Sequence, residues 1–422
     1  MNGKKLLSLL LLTGFAALMI AGYVVYSAVS KRAKEESETV LFQATGIQQI
    51  MSDFAGEEQL FQKENDSWTY VPDTVFPLNP AYIEDMEDAL LSLIATAEMP
   101  NGDPSEYGLA IPAFEISAIT EDGSKFHCAI GNENNSADVV YILVDGNIYT
   151  VDIGFSRRFS HTLLEMVQKQ PLLDLQPSEA TALSIENGNG SCKLVRSSGS
   201  LPDGFDRITW IMGDGTPGDD EQAKSLILAI AGMRAVDCVA YKPDAATLSG
   251  CGFDQPAAVI GVSYNDTNWT AQIGNKTDDG KYYGFLPETG VICTFEASVP
   301  EQILGISAQD CRNRAVFPVS YENLTYAEVK FGGETKRLNF QEYGKAWDFY
   351  YKLSTMRAEQ LDDSEPAGNA DVTVTVYTTD SNVNYELAFQ KFNEDFYRTD
   401  LFGYGQLVNK RDIEELLSIL DK

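Results

Sequence analysis

The stretch Tyr107-Gly108-Leu109-Ala110-Ile111-Pro112 recurs later in the chain as Cys251-Gly252-Phe253-Asp254-Gln255-Pro256. Each copy is followed by a second short motif, Ile130-Gly131-Asn132 in the first case and Ile273-Gly274-Asn275 in the second. The two glycines are 23 residues apart in the first copy and 22 in the second. An internal repeat of this kind indicates one structural unit built twice.

Each copy also has a tryptophan upstream of its first glycine. Trp68 precedes Gly108 by 40 residues, and Trp210 precedes Gly252 by 42. A helix-like run lies between tryptophan and glycine, and hairpin-like runs follow. In the first copy the apolar spacing predicts a helix over 81–99 and a closing helix over 159–166. We therefore expect a first module over residues 39–172 and a second over 179–316.

A shorter third module is expected over residues 320–422. It carries hairpin and helix patterns of the same kind but lacks both glycine motifs. The last copy in an array commonly departs from the others, because it meets solvent where they meet neighbours. The predicted fold class is α+β, with an N-terminal transmembrane helix followed by tandem repeated modules of antiparallel sheet plus helix.

The recurring glycines have a backbone explanation. Only glycine takes a positive φ without steric cost, and the prolines of the first motif prevent a helix from continuing. The glycines of the second motif are expected to end a strand at a turn rich in Asn and Asp. We interpret all four as shaping the backbone and touching no ligand. The candidate residues are therefore structural: Trp68, Tyr107, Gly108, Leu109, Pro112, Gly131, Trp210, Gly252, Phe253, Pro256 and Gly274.

The N-terminus predicts a membrane anchor within residues 1–34. An uncharged run of 24 residues begins at Leu6 and ends at Val29. As a helix it would span roughly 36 Å, enough for a hydrocarbon core of about 30 Å. A cleaved signal peptide is the alternative, with Ala28-Val29-Ser30 as its cleavage site, but its apolar region is normally about 7–15 residues. We expect an uncleaved anchor with the bulk of the chain outside.

Composition indicates a folded, acidic protein. Hydrophobic residues make up 44% and aromatic residues 11%, too many for a disordered chain. The net charge is −31, and beyond residue 34 it is −36, from 26 basic and 62 acidic residues. This field repels nucleic acid and anionic lipid, which argues against both as partners.

Cysteine use leaves two interpretations open. Five of the six cysteines fall in the second module, and Cys128 is alone in the first. They are either small buried hydrophobic residues or include one bridge in the second module. No Cys-x-x-Cys spacing occurs, so the sequence does not support a zinc site.

The sequence offers few candidates for catalysis, and we expect a protein that is not an enzyme and has no cofactor. It has two histidines, His127 and His161. His127 precedes Cys128 on a predicted strand, where adjacent side chains point to opposite faces. His161 lacks the second histidine of a zinc-protease helix, and no nucleophile elbow, phosphate loop or dinucleotide motif occurs.

Two further features can be either binding sites or ordinary parts of the fold. Asp214, Asp219 and Asp220 share a glycine-rich loop that can be either a calcium site or a solvated loop, although their spacing is not that of an EF-hand. Tyr/Phe-rich hairpins at 282–285, 396–397 and 402–404 can form contact surfaces or pack on their own sheet.

At the tryptophan and glycine motifs the chain resembles the DUF4340 domain proteins of bacteria. The likeness is good over 39–172, moderate over 179–316 and weak over 320–422, and Cys251 and Phe253 depart from the pattern set by Tyr107 and Leu109. The resemblance implies a single-pass protein of the bacterial cytoplasmic membrane, mostly extracytoplasmic. Relatives often lie beside genes for an ABC-type permease and ATPase, which suggests an auxiliary subunit, and the family supplies no catalytic residues.

The expected function is therefore a non-enzymatic, membrane-tethered auxiliary or scaffolding component of an ABC-type transporter complex. The alternative is a cell-envelope module that binds glycan or peptide. A solvent-lined aromatic groove would favour the alternative, and a cleft with convergent carboxylates would favour an enzyme.

Overall fold

The computed structural model describes residues 39–169, 172–197, 205–342, 344–364, 368–380 and 383–421. The predicted membrane span from Leu6 to Val29 lies outside the described residues. Within the described ranges, no helix is both long enough and apolar enough to cross a membrane.

Antiparallel sheet dominates the described residues, which form four sheets with few helices, and this is consistent with the predicted repeat of sheet modules. The smallest sheet is a two-stranded ribbon of β1 (Thr39–Gln43) and β5 (Ser92–Ala95). The other three are large, and each is accompanied by helices.

The first large sheet contains β2 Ile47–Ser52, β3 Gln59–Glu64, β4 Ser67–Tyr70, β6 Ala97–Glu98, β7 Phe114–Thr120, β8 Lys125–Asn134, β9 Val139–Val144 and β10 Asn147–Asp152. Their spatial order is β4-β3-β2-β7-β8-β9-β10-β6. The accompanying helices are α1 (Pro80–Leu91) and α2 (Ile153–Arg158).

The second large sheet contains β11 Ala180–Asn187, β12 Gly190–Arg196, β13 Trp210–Met212, β14 Ala235–Tyr241, β15 Ala258–Tyr264, β16 Thr267–Lys276, β17 Tyr282–Leu286 and β18 Val291–Phe295. Their order, β13-β12-β11-β15-β16-β17-β18-β14, matches the first sheet position for position. The helices are α3 (Asp220–Ala231), α4 (Ala245–Gly250) and α5 (Ser298–Gly305).

The third large sheet contains β19 Leu324–Phe331, β20 Glu334–Asn339, β21 Gln360–Asp362, β22 Val372–Thr378, β23 Asn384–Lys391, β24 Phe396–Thr399 and β25 Gly405–Asn409. Its order is β20-β19-β22-β23-β24-β25-β21, the same arrangement without the outermost strand that carries the tryptophan. Helices α6 (Lys345–Thr355) and α7 (Lys410–Ile419) accompany it. Short 3-10 helices lie at Phe54–Gly56, Pro104–Tyr107, Gln309–Cys311 and Tyr321–Asn323.

Helix α1 is shorter than the sequence predicts. Asn79 caps it by accepting from the Ala81 amide, and Ile83, Met86 and Leu90 are buried against the first sheet. The helix ends at Leu91 instead of continuing to residue 99, because residues 92–95 alternate between exposed and buried and pair with β1. Tertiary pairing overrides the apolar spacing here.

The closing helix of the first module also differs from its prediction. Residues 153–158 are helical and residues 159–166 are not. The Asp152 side chain starts α2 by accepting from the Gly154 amide, and the helix stops at Phe159, whose ring packs on Phe155. In the second module, α5 covers the predicted position, 299–304.

The chain divides into two compact units, one ending at Gln168 and the other beginning at Lys169. The second unit holds the second and third large sheets, and they share buried residues. Phe205 and Ile208, which precede β13, belong to the same core cluster as Phe349 of α6 and Val374 of the third sheet. The module boundaries at 39–172, 179–316 and 320–422 stay predictions.

Candidate functional site

Two of the three loop aspartates bind backbone and hydroxyl groups close by. Asp214 Oδ1 accepts from the Thr216 amide at 3.0 Å and from its hydroxyl at 2.6 Å, and the hydroxyl is the main cause of a lowered pKa at Asp214. Asp220 accepts from the amides of Thr209 and Trp210, with distances of 3.1 Å. Their protein donors fix these two carboxylates in place.

Asp219 is buried within the second unit. It is 1% exposed, and its Oδ1 caps α3 by accepting from the Gln222 amide at 2.9 Å. Its Oδ2 accepts from the Arg314 amide at 3.0 Å and from Arg357 Nη2 at 2.7 Å. The prediction of a solvated loop is therefore wrong for this residue. The sequence carries no signal that an arginine 138 positions away is its partner.

The calcium interpretation receives no support from this arrangement, because the three carboxylates point to three separate sets of protein donors. Within the part of the chain that the structure describes, no three acidic, histidine or cysteine side chains form a group that could hold a metal ion.

A polar cleft of about 340 Å³ lies beside the Asp219–Arg357 contact. Its charged lining comes from Arg207, Arg357, Asp220 and Glu221, and the hydroxyls of Ser354 and Thr355 belong to the end of α6. The two arginines differ in their partners. Arg357 pairs with Asp219 and, at 3.4 Å, with Glu221. Arg207 Nη1 donates to the Tyr350 hydroxyl at 3.5 Å, a long bond for a charged donor.

This cleft can bind a small anionic group. A guanidinium presents five donors in a planar fork that suits carboxylate or phosphate. Arg207 is the residue available for that role, because Arg357 is already paired with two carboxylates. No local sequence signal indicates this cleft, because its residues come from four separate segments.

The repeated glycine motifs lie against each other in both modules. Gly108 has φ +74° and Gly252 has φ +89°, which confirms the prediction of positive φ. A Cβ added at Gly108 would collide with the side-chain oxygen of Asn132, and one at Gly252 would collide with that of Asn275. The first motif therefore packs directly on the second.

Gly131 and Gly274 lie within β8 and β16, so the prediction that they end strands is wrong. The ladder shifts register just after the isoleucine that precedes each glycine, and the strand continues. A Cβ on Gly131 would collide with the Tyr107 carbonyl oxygen, and one on Gly274 with that of Cys251. These glycines are needed for close backbone approach.

The neighbouring motif residues complete the same packing. Leu109 is 5% exposed and Phe253 is 9% exposed, and each lies within a small core cluster on its own sheet. Pro112 and Pro256 each stand two residues before a strand, β7 and β15 respectively. Phe253 thus keeps the buried position of Leu109, and Cys251 is buried where Tyr107 is half-buried.

Each repeated tryptophan stands on an edge strand opposite a cation. Trp68 on β4 is in register with Lys63, whose Nζ lies 5.6 Å from the ring centroid. Trp210 on β13 is in register with Arg196, whose guanidinium carbon lies 4.8 Å from the ring centroid. The spacing of the repeated motifs does not predict this pairing, although a basic residue stands upstream of each tryptophan.

His127 and Cys128 point to opposite faces of β8, as the sequence predicts. Cys128 is fully buried, and the His127 side chain is 59% exposed. His127 Nδ1 lies 3.1 Å from Ser117 Oγ, and Nε2 lies 3.8 Å from a Glu115 carboxylate oxygen. These three side chains lie on an open face of the sheet, where β7 pairs with β2 and β8. The backbone amides of β7 and β8 therefore make hydrogen bonds within the sheet and do not form an oxyanion hole.

The structure resolves the two interpretations of the cysteines. Cys192 and Cys311 form a disulfide, and the free cysteines are Cys128, Cys238, Cys251 and Cys293. Three of these four are buried, and Cys238 is half-buried. The second module therefore contains one bridge and also cysteines that act as small core residues.

The aromatic hairpins pack on their own sheets or within their own unit. Phe285 lies 5.6 Å from Phe253 between ring centroids, and Phe402 lies 4.9 Å from Phe205. Tyr404 is 5% exposed and donates its hydroxyl to the Asn313 carbonyl at 2.9 Å. These rings contribute to the core and do not form a solvent-lined groove.

One domain family matches part of the chain. Its description is "Domain of unknown function (DUF4340)", and the match covers residues 68–256. The match begins at the edge-strand tryptophan of the first module and ends at the proline of the second glycine motif, so it includes both copies of that motif. No curated protein and no solved structure matches the chain significantly. The chain therefore contains a DUF4340 domain, a domain of unknown function, at residues 68–256.

Proposed function

We propose that this protein is a non-enzymatic auxiliary or scaffolding component of a membrane transporter complex, tethered by the segment from Leu6 to Val29. Its role is to hold partner proteins through contacts along the extracytoplasmic modules. An ABC-type permease and ATPase are the expected partners, by analogy with the DUF4340 proteins that the sequence resembles.

The observation that carries this proposal is how the repeated residues are used. Gly108 packs on Asn132 and Gly252 on Asn275, while the two tryptophans face cations on neighbouring strands. These contacts build the modules. The repeated residues thus serve the internal packing of each module. A chain built from such repeated modules is suited to presenting their surfaces to other proteins.

A second observation concerns rigidity. The buried Asp219–Arg357 contact and a shared core cluster join the second and third sheets. A scaffold benefits from such a junction, because a preformed binding surface loses less conformational entropy when a partner docks.

The test is a pull-down of the full chain, tagged at its C-terminus, from gently solubilised native membranes, with mass spectrometry to quantify the partners. A variant in which the segment from Leu6 to Val29 is replaced by a cleavable signal serves as the control for tethering. We expect stoichiometric recovery of a permease and an ATPase with the anchored form and much lower recovery with the released form. A monodisperse protein recovered alone from the membranes would reject the proposal.

The cleft beside Arg357 favours a second candidate function, the binding of an envelope peptide through a carboxylate. Arg207 is the residue expected to hold that carboxylate. The test compares peptides with a free or an amidated C-terminus by calorimetry, using wild type and Arg207→Gln. Binding that requires both the free carboxylate and Arg207 would support this function, and equal behaviour of the two peptides would reject it.

A further inference from the structure

Two of the free cysteines stand directly opposite each other in the second sheet. Cys238 on β14 is the register partner of Cys293 on β18. Directly opposed residues of antiparallel strands have Cα atoms about 4.5–5.5 Å apart and side chains on the same face. A disulfide requires a Cα separation of about 4.4–6.8 Å, so this pairing falls within the range that a bridge needs.

The surroundings give the two thiols different access to solvent. Cys293 is 1% exposed, whereas Cys238 is half-buried on the edge strand of the sheet. Burial raises the pKa of Cys238 to about 11 and that of Cys293 to about 12, and Lys169 opposes the rise at Cys238. Cys238 is therefore the thiol that an outside reagent meets first.

Neither thiol is held by a strong competing interaction. Cys238 Sγ lies 3.9 Å from the Ala240 carbonyl oxygen, and Cys293 Sγ lies 3.6 Å from that of Gly284. Thiols are weak donors, so breaking these contacts costs little. The ladder shifts register on both sides of Cys238, so a covalent link there would fix β14 to β18 between two irregularities of the pairing.

We propose that Cys238 and Cys293 form a dithiol pair that a low-molecular-weight disulfide converts into a second bridge, tying the edge strand β14 to β18. In the first step the Cys238 thiolate attacks the reagent disulfide, forms a mixed disulfide and releases one thiolate. In the second step the Cys293 thiolate attacks Cys238 Sγ and releases the second thiolate. The two protein thiols are oxidised, the reagent is reduced to two thiols, and the two protons end on the released thiolates.

The test treats the folded full-length chain with glutathione disulfide, then blocks free thiols with iodoacetamide under denaturing conditions. Digestion on the amino side of each aspartate, without reduction, places every cysteine on a separate peptide. Cys238 lies on residues 237–243, Cys293 on 279–309 and Cys251 on 244–253. The established bridge links residues 174–202 to 310–347, which makes it an internal standard.

The expected result is a linked pair of peptides 237–243 and 279–309, with alkylation lost from Cys238 and Cys293 together. Cys128 and Cys251, free cysteines without such a register partner, stay alkylated. In Cys293→Ser, Cys238 should stop at the glutathione mixed disulfide. In Cys238→Ser, Cys293 should stay a free thiol.

Full alkylation of Cys238 and Cys293 after oxidation, with the established bridge intact, would overturn the proposal. A link from Cys238 to any other cysteine would overturn it as well. The measurement on wild type tests the proposed bridge without relying on the folding of either variant. A sample oxidised while unfolded shows the pattern of random disulfide pairing for comparison.

Discussion

Arg357 Nη2 lies 2.7 Å from Asp219 Oδ2, and this contact joins the segment between α6 and β21 to the residue that caps α3. Asp219 is 1% exposed, while the Arg357 side chain is 36% exposed. The carboxylate therefore depends on the arginine and on two backbone amides for the hydrogen bonds that water would otherwise supply.

Arg357→Ala should destabilise the start of α3. The substitution leaves a buried carboxylate without its charged donor, and we expect the opening free energy of this region to fall by about 2 kcal/mol. Hydrogen exchange of the α3 amides measures that quantity. Arg411→Ala is the matched control, because its side chain is 76% exposed and solvent screens its pair with Glu415. An equal effect of the two substitutions would contradict the assigned role of Asp219.

The glycine motifs allow backbone strain and crowding to be measured separately. Gly123→Ala places a Cβ at φ +85° in open space, so it should cost about 1 kcal/mol from strain alone. Gly131→Ala adds crowding without positive φ, against the Tyr107 carbonyl and the Leu109 side chain, and this should cost about 1–3 kcal/mol. Gly108→Ala combines positive φ with a collision at the Asn132 side chain and should therefore cost more than Gly123→Ala.

Thermal unfolding of the three glycine variants, followed by circular dichroism, gives the order of their stabilities. If Gly108→Ala were no worse than Gly123→Ala, the packing of the first motif on the second would contribute nothing to stability.

The disulfide between Cys192 and Cys311 should contribute strongly to the stability of the second unit. It closes a loop with a sequence separation of 119, and the chain-entropy relation gives about 5 kcal/mol for a loop of that size. Replacing both cysteines with alanine should lower the urea midpoint of the second unit accordingly. Reductant should have the same effect on wild type and none on the double variant. A loss below about 1 kcal/mol would show that the bridge does not constrain the unfolded chain as the relation assumes.

The hairpin turn that precedes β17 should make the stability of the protein depend on pH. Lys281 Nζ lies 2.7 Å from Asp279 Oδ2, and this bond together with the Thr277 hydroxyl lowers the pKa of Asp279 to about 2. Because the pKa of Asp279 is lowered in the folded state, its ionised carboxylate stabilises the fold at pH values above the ordinary pKa of 3.8. This contribution is lost as the pH falls towards 2.

Carboxyl carbon shifts followed by NMR should place the Asp279 midpoint near 2 in wild type. In Lys281→Met the midpoint should rise towards the ordinary value, because the main cause of the lowered pKa is removed. An unchanged midpoint in that variant would mean that the lysine does not hold the carboxylate in solution.

The repeat could be found from the sequence because its signals are local. A backbone position that needs positive φ favours glycine wherever it occurs. Gly108 and Gly252 can therefore be recognised in the sequence as equivalent positions of the two copies. Helix and strand periods are local as well, and they located most elements of the three sheets. They failed at residues 92–95, where pairing with β1 decides the conformation.

The long-range contacts of the second unit could not be predicted from local sequence signals. Asp219 is one of 62 acidic residues, and nothing near it in the sequence indicates Arg357 as its partner. The same holds for the pairing of Cys192 with Cys311 rather than with another of the nearby cysteines. Ion pairs and disulfides depend on which side chains the fold brings within a few ångströms, and many partners are compatible with any one residue.

Local sequence signals are enough to establish that one sheet module is used repeatedly, that the glycine motifs shape the backbone, and that the chain is strongly acidic. These properties depend on composition, spacing and the φ range open to glycine. The packing of the sheets was needed to place the second glycine of each copy inside a strand, to give the loop aspartates their protein donors, and to form a polar cleft beside Arg357. Those properties arise from contacts between segments far apart in the chain, and their geometry exists only once the sheets have packed.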